Sequence, residues 1–386
     1  MISKFDAIRP YDDTDLPRIL TKLFNNKEFI RTIVAFKFSA WPKFTWPLLG
    51  FITRHYIISQ ISGIKNLTGF RRLVEPYVQR MIDTTTQAFT VSGLDKLDLS
   101  QACLFVSNHR DIALDPALVN WVLHINQQDT VRIAVGDNLL KKEWVADLIR
   151  LNKCFIVKRS APDRREKLAA AKLLSEYIFH TLQTDKQHIW IAQREGRAKD
   201  GNDITNPAII SMLTINKPKE IEFADYVRQL RIVPVSISYE FDPCDISKAK
   251  ELHQVDLLGA YDKPDNEDMR SIVNGITGKK GRVHVHFGQV ANESFDSAKQ
   301  VAEYLDKEIL AGYQTFSSGK AALQLLEQLT DKNQNTSPTN STMEMKAAIA
   351  YLQSRMVQLN EAEQKKLLTM YANAYIKQRD RTQQNG

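Results

Sequence analysis

The sequence predicts an α/β fold, a mixed and largely parallel sheet flanked by helices, and three observations predict it. Short apolar runs bounded by polar residues recur at 89–93, 102–106, 131–135, 154–157, 188–192, 231–239 and 282–287. Helical patterns lie between several of them, the alternation that builds βαβ units. Several runs end in polar or charged clusters, and strand ends are where α/β proteins place ligand contacts. With 386 residues, 43% of them hydrophobic, the chain can bury a sizeable core in one large domain with appendages or in two domains.

Residues 1–26 read as a lead-in punctuated by Pro10 and Pro17, with a helical pattern through Leu16, Ile19, Leu20, Leu23 and Phe24. A helical region follows over 27–85. In its 27–72 part, Phe29, Ile30, Trp41, Phe44, Trp46, Leu48 and Phe51 are interleaved with Arg31, Lys37, Lys43 and Arg54, and the acids are reduced to Glu28. A spanning helix needs about 20 apolar residues, and here cations, Pro42 and Pro47 interrupt every run. Basic residues beside tryptophan and phenylalanine are the composition of a helix lying in the headgroup layer; a helical hairpin with its aromatics in the core has the same composition. No transmembrane hairpin is expected.

The α/β domain is placed at 86–330. Its clearest helix is 164–182, with Leu168, Ala171, Leu174, Ile178 and Leu182 on one face. The polar run 331–342 reads as a linker. A helical appendage, 343–386, follows, and its second helix opens with Asn360 and Glu363 at capping-box spacing. These helices either pack on the domain or offer a partner surface, and packing is expected.

Charge and cysteine usage narrow the class. A net charge of +7 and a pI near 9.1 point to an anionic partner: membrane surface, phosphorylated substrate or nucleic acid. Cys103, Cys154 and Cys244 are odd in number and far apart, so they read as reduced core residues rather than disulfides or a zinc site. Residues 1–15 are too polar for a signal peptide, and the chain is expected to stay in the cytoplasm. His284 and His286 alternate with Val283, Val285 and Phe287 and are expected on an exposed sheet face. There is no GxSxG, GxxxxGK[ST] or GxGxxG, which argues against a serine hydrolase, a P-loop NTPase and a Rossmann oxidoreductase.

The chemistry concentrates in Val106-Ser107-Asn108-His109-Arg110-Asp111-Ile112-Ala113-Leu114-Asp115-Pro116, between the run 102–106 and a helix with Pro116 in its first turn. A histidine followed closely by carboxylates can act as a general base, because a carboxylate on one ring nitrogen fixes the tautomer and stabilises the imidazolium. Asp and Asn also favour such positions simply as helix and turn caps. Three further clusters follow in order: Phe155-Ile156-Val157-Lys158-Arg159, Arg194-Glu195-Gly196-Arg197, and Val233-Pro234-Val235.

With these four blocks in this order over roughly 100–240, the chain resembles the glycerolipid acyltransferases, which acylate glycerol 3-phosphate, 1-acylglycerol 3-phosphate and related acceptors. Asn108-His109 match the family's Asn-His, while the aspartate comes after five intervening residues rather than four. Either the turn absorbs the extra residue and Asp115 orients His109, or Asp111 does. Lys158 stands at the arginine of the second block with Arg159 after it; in the third block Glu195-Gly196 match and Arg197 comes one residue early. These departures mark a divergent, bacterial-type member.

The resemblance implies an O-acyltransferase of phospholipid synthesis, forming phosphatidic-acid-type products from acyl-CoA or acyl carrier protein. His109 would be the base, Asp115 or Asp111 its orienting acid, and Lys158, Arg159, Glu195, Gly196 and Arg197 the binding site for the acceptor phosphate. No metal, no cofactor beyond the acyl donor and no nucleic-acid partner is expected. An anionic membrane, met through 27–72 at the cytoplasmic face of the cell membrane, is the expected partner surface. Acylation of another lyso-lipid, such as an amino-lipid, and a noncatalytic basic membrane- or nucleic-acid-binding protein are the competing readings.

Overall fold

The computed structural model describes residues 4–384 apart from 39, 62, 265 and 331–341, so all of the proposed linker except residue 342 lies outside the described residues. The strands are β1 Thr86–Ser92, β2 Leu104–Ser107, β3 Arg132–Gly136, β4 Cys154–Val157, β5 Ile189–Ala192, β6 Ile232–Tyr239 and β7 Gly281–Phe287. Each apolar run of the sequence becomes a strand. The chain divides into two compact units, Met1–Gln79 with Arg132–Tyr177, and Arg80–Val131 with Ile178–Gly386. This division does not follow chain order: β3 and β4 group with the N-terminal helices.

In the first unit β3 and β4 pair in parallel. The lead-in runs beside β4, with Ile156 N donating to Ile8 O at 2.9 Å and Phe5 edge-on to Tyr177. Helix Leu16–Asn25 buries Leu16, Ile19, Leu20, Leu23 and Phe24, the residues its periodicity singles out. Helix Lys27–Lys37 starts at Asn26, whose side chain accepts from Phe29 N, and buries Phe29, Ile30 and Val34. Helix Trp46–Ile61 is tied down by Arg54, which donates to Phe24 O at 2.9 Å and Asn25 Oδ1 at 2.8 Å. Apolar side chains lie all round that helix, so packing one side leaves the rest in water. Phe44 is 84% exposed, and Trp41, Leu48, Phe51, Ile52 and Tyr56 are also more than half exposed. Among the described residues no helix is long and apolar enough to cross a membrane.

In the second unit the strand order is β1-β7-β6-β2-β5. Every pair is parallel except β6 with β7, so the sheet is mixed and largely parallel. β2 lies between β5 and β6, and all four of its residues are buried, as expected of a central parallel strand covered on both faces. β7 alternates, burying Val283, Val285 and Phe287. His284 and His286 are not on an exposed face. Their rings are half-buried against β1, with Thr90 Oγ1 2.8 Å from His284 Nδ1 and Ser92 Oγ within 2.9 Å of both rings, and burial lowers both imidazole pKa values.

The C-terminal helices pack within this unit. Ser317–Thr330, Met343–Met356 and Glu361–Gln384 share one apolar cluster that includes Ala321, Leu325, Ala348, Leu352, Leu367 and Leu368, and Ala249 joins it from helix Asp245–Leu258. The capping box forms as spaced: Glu363 N donates to Asn360 Oδ1 at 2.9 Å and Asn360 N to Glu363 Oε2 at 3.1 Å. Gly201, at φ 78°, lets the loop before residue 207 approach the last helix, since a Cβ there would lie 2.1 Å from Met370 O.

Candidate active site

β2 ends at Ser107, and the next two residues build the site. Asn108 is fully buried. Its amide donates to Ile237 O at 3.0 Å and accepts from Ile237 N at 2.8 Å, pairing with the β6 backbone as a neighbouring strand would. His109 follows, and its Nδ1 lies 2.8 Å from Asp115 Oδ2. A carboxylate at Nδ1 requires the hydrogen on that nitrogen and leaves the Nε2 lone pair available. Trp190 of β5 meets the His109 ring edge-on at 5.9 Å, and its indole N–H is held by Ser107 Oγ at 3.0 Å.

The two aspartates have different work. Asp115, fully buried in the first turn of helix Leu114–Ile125, accepts on Oδ2 from Arg110 N at 2.7 Å and Asp111 N at 2.9 Å besides His109. Its Oδ1 takes the Tyr239 hydroxyl at 2.8 Å. Asp111 Oδ1 instead accepts from Ala113 N and Leu114 N, both at 2.9 Å, which closes the turn and caps the helix. The extra residue between histidine and acid is absorbed in that turn, and Asp111 is not the acid bonded to His109. Burial, then the charge of Asp115, raises the Asp111 pKa. Helix Glu267–Thr277 rests on this carboxyl at Gly275, where a Cβ would stand 2.3 Å from Asp111 Oδ2.

Behind the turn lies a layer of buried charge. Arg110 Nη2 donates to Asp203 Oδ2 at 2.7 Å; burial pulls its pKa down, yet Asp203 more than offsets this and holds the guanidinium charged. Lys248, fully buried, donates to Arg110 O at 2.7 Å and Asp242 Oδ2 at 2.5 Å. Asp242 is largely enclosed, which alone would raise its pKa, and Lys248 brings it below the usual carboxylate value. Asp245 binds Arg355 at 3.0 Å through Nε and takes the Tyr371 hydroxyl at 3.1 Å, which ties the C-terminal helices to the segment leaving β6.

The third block lies beside the first. Ala198 N donates to His109 O at 2.8 Å, so the Arg194-Glu195-Gly196-Arg197 loop packs against the histidine's own backbone. Glu195 and Gly196 are exposed, with Gly196 at φ 73°. Arg197 donates weakly to Ser271 Oγ at 3.4 Å, and its Nη1 is buried with no hydrogen-bond partner among the described residues. Lys158 and Arg159 are exposed just after β4 in the first unit. Asp137 fixes that loop by accepting from Arg159 N at 3.1 Å and from Ser160 Oγ at 2.5 Å.

Residues 88–238 match the family model described as Acyltransferase. Over this span the chain is similar to the acyltransferase family. A search of the solved structures gives the 1-acyl-sn-glycerophosphate (LPA) acyltransferase PlsC of Thermotoga maritima, at 15% identity over 77% of this chain and 94% of that one, with a TM-score of 0.36. A search of the curated proteins finds no match. The matched span holds His109, Asp115, Trp190 and Arg197, whereas Tyr239, Asp242, Lys248 and Ser271 follow it. The sequence reading missed Tyr239, Arg110, Asp203, Asp242 and Lys248. Arg110 lay inside the quoted cluster without being given a role, and Tyr239 was visible only as the last residue of a strand that leads to the site.

Proposed function

We propose that this acyltransferase moves a fatty acyl group from a thioester, acyl-CoA or acyl carrier protein, to a hydroxyl of glycerol 3-phosphate or 1-acylglycerol 3-phosphate. The observation that carries the reading is the His109–Asp115 hydrogen bond at 2.8 Å, with Asp115 buried. His109 Nε2 takes the proton of the acceptor hydroxyl as its oxygen attacks the thioester carbonyl. The tetrahedral adduct then collapses, the carbon–sulfur bond breaks, and the imidazolium returns the proton to the departing thiolate. Asp115 holds the tautomer and balances the imidazolium charge while the adduct exists. No acyl-enzyme is needed.

Arg197 supports a phosphorylated acceptor. Its buried, unpartnered Nη1 is an unmet donor beside the histidine's loop, and guanidinium suits phosphate oxygens. We assign Lys158 and Arg159 an anion-binding role on their charge alone, with Glu195 and Gly196 shaping the Arg197 loop. The exposed apolar side chains between Trp41 and Tyr56, together with Lys37 and Lys43, support peripheral attachment to an anionic bilayer, which we place at the cytoplasmic face of the cell membrane.

The test is transfer of labelled acyl groups from acyl-CoA and acyl carrier protein to phosphorylated and unphosphorylated acceptors. His109→Ala is expected to lower transfer by roughly 10²–10⁴-fold, and Arg197→Ala, Lys158→Ala and Arg159→Ala to raise KM for the phosphorylated acceptor alone. Equal use of an acceptor without phosphate would redirect the reading to another lyso-lipid. Flotation with anionic vesicles tests attachment, and Phe44→Asp with Phe51→Asp should leave the protein unbound.

A further inference from the structure

We propose that Tyr239 is a positioning residue for His109, acting through the far oxygen of Asp115. The proposal rests on the His109 general-base reading. Its own evidence is the unequal partnering of the Asp115 carboxylate: Oδ2 receives His109 Nδ1 and two backbone amides, whereas Oδ1 receives the Tyr239 hydroxyl at 2.8 Å. The amides hold one oxygen in place, but a carboxylate can still turn about that oxygen. A donor fixed on Oδ1 removes this freedom and sets the line from Oδ2 to Nδ1.

Tyr239 is well placed for this task because its position comes from the sheet. It is the last residue of β6, and Asn108 pairs with Ile237 two residues earlier. The residue adjacent to His109 therefore sets the register of the strand that supports His109's carboxylate. The hydroxyl stays protonated: burial, then the charges of Asp115 and Asp111, hold its pKa well above the usual value. The charged and titratable groups facing Asp115 are His109, Tyr239 and Asp111, with the Arg110 guanidinium and the Lys248–Asp242 pair behind them.

Removing the hydroxyl has a definite sign. Oδ1 loses its donor in a buried setting, its charge is less neutralised, and it favours the imidazolium more strongly. In Tyr239→Phe the acidic limb of the kcat/KM profile should therefore move to higher pH. We expect kcat to fall about tenfold, the loss of roughly one hydrogen bond in the transition state, with KM for both substrates within about twofold. Replacing Tyr239 site-specifically by 3-fluorotyrosine, a stronger donor of nearly the same volume, should move the limb the other way.

The experiment measures pH–rate profiles of wild type, Tyr239→Phe and the fluorotyrosine protein, with His109 ring nitrogens titrated by NMR so that the readout does not depend on having the right acceptor. Opposite shifts in the two variants support positioning. Superimposable titrations, even with a lowered melting temperature, mean that the tyrosine only fills space and overturn the proposal. His109→Ala separates the two claims: full activity in that variant sinks the general-base reading, whereas an inactive His109→Ala beside an unshifted Tyr239→Phe sinks only the positioning role.

Discussion

Asp115 and Asp111 stand four residues apart, and a carboxyl-to-amide change in each should give opposite results. In Asp115→Asn the amide cannot accept the His109 Nδ1 hydrogen and all the other donors around it at once. Turnover is expected to drop by on the order of 10³-fold or more, as for other aspartates that hold a catalytic tautomer. Asp111→Asn keeps a capping oxygen for Ala113 N and Leu114 N, and asparagine caps as well as aspartate. Its turnover should stay within a few-fold of wild type; the reverse ranking in steady-state assays would reassign the acid. From sequence both aspartates were candidates, because which carboxylate reaches the imidazole depends on how the turn is wound. That winding is fixed by hydrogen bonds from residues 113 and 114, which spacing does not encode. Tyr239 was less legible still, since its role depends on strand register 124 residues away.

Whole strands were far easier to read than their side-chain partners. A buried strand must be a compact apolar run, and all seven runs became strands with ends within a few residues. What β7 packs against is a tertiary matter. His284 and His286 looked exposed by alternation, but the β1 hydroxyls and Gly312, where a Cβ would stand 2.2 Å from the His286 ring, enclose them. The helix Met343–Met356 provides a test at this scale. Arg355→Met strips the partner from Asp245, which is fully buried and whose pKa burial already raises against the lowering by Arg355. Breaking such a pair costs about 3–5 kcal/mol. Urea midpoints should show that loss, and Asp245→Asn added to Arg355→Met should restore part of it, because the stranded charge is gone. A double variant no better than the single would mean that the pair is not what holds this helix.

At the scale of the molecule, the sequence placed the C-terminal helices correctly against the domain because their apolar faces are too extensive for solvent. It did not foresee that β3 and β4 group with the N-terminal helices, since grouping depends on contacts between distant segments. A second global property follows from Lys280, a fully buried ammonium that donates to Thr85 Oγ1 at 2.7 Å and Gly278 O at 2.9 Å. Burial lowers its pKa to about 8, below the ordinary lysine value near 10.4. Between these values the unfolded chain binds the extra proton, so this residue's contribution to stability rises with pH from about 8 to about 10.4. Comparing denaturation midpoints of wild type and Lys280→Met across that interval should show wild type gaining on the variant. Parallel curves would place the lysine's proton elsewhere.

The Asn108 side chain carries a consequence for how this sequence can drift. It copies a peptide group, one donor and one acceptor at the right reach, and offers both to Ile237. Aspartate would set oxygen against the Ile237 carbonyl, glutamine would overshoot by a methylene, and serine would fall short. Mutational neighbours that look conservative on paper are therefore closed to position 108, and a library that randomises it, selected for folding alone with no demand for activity, should return asparagine.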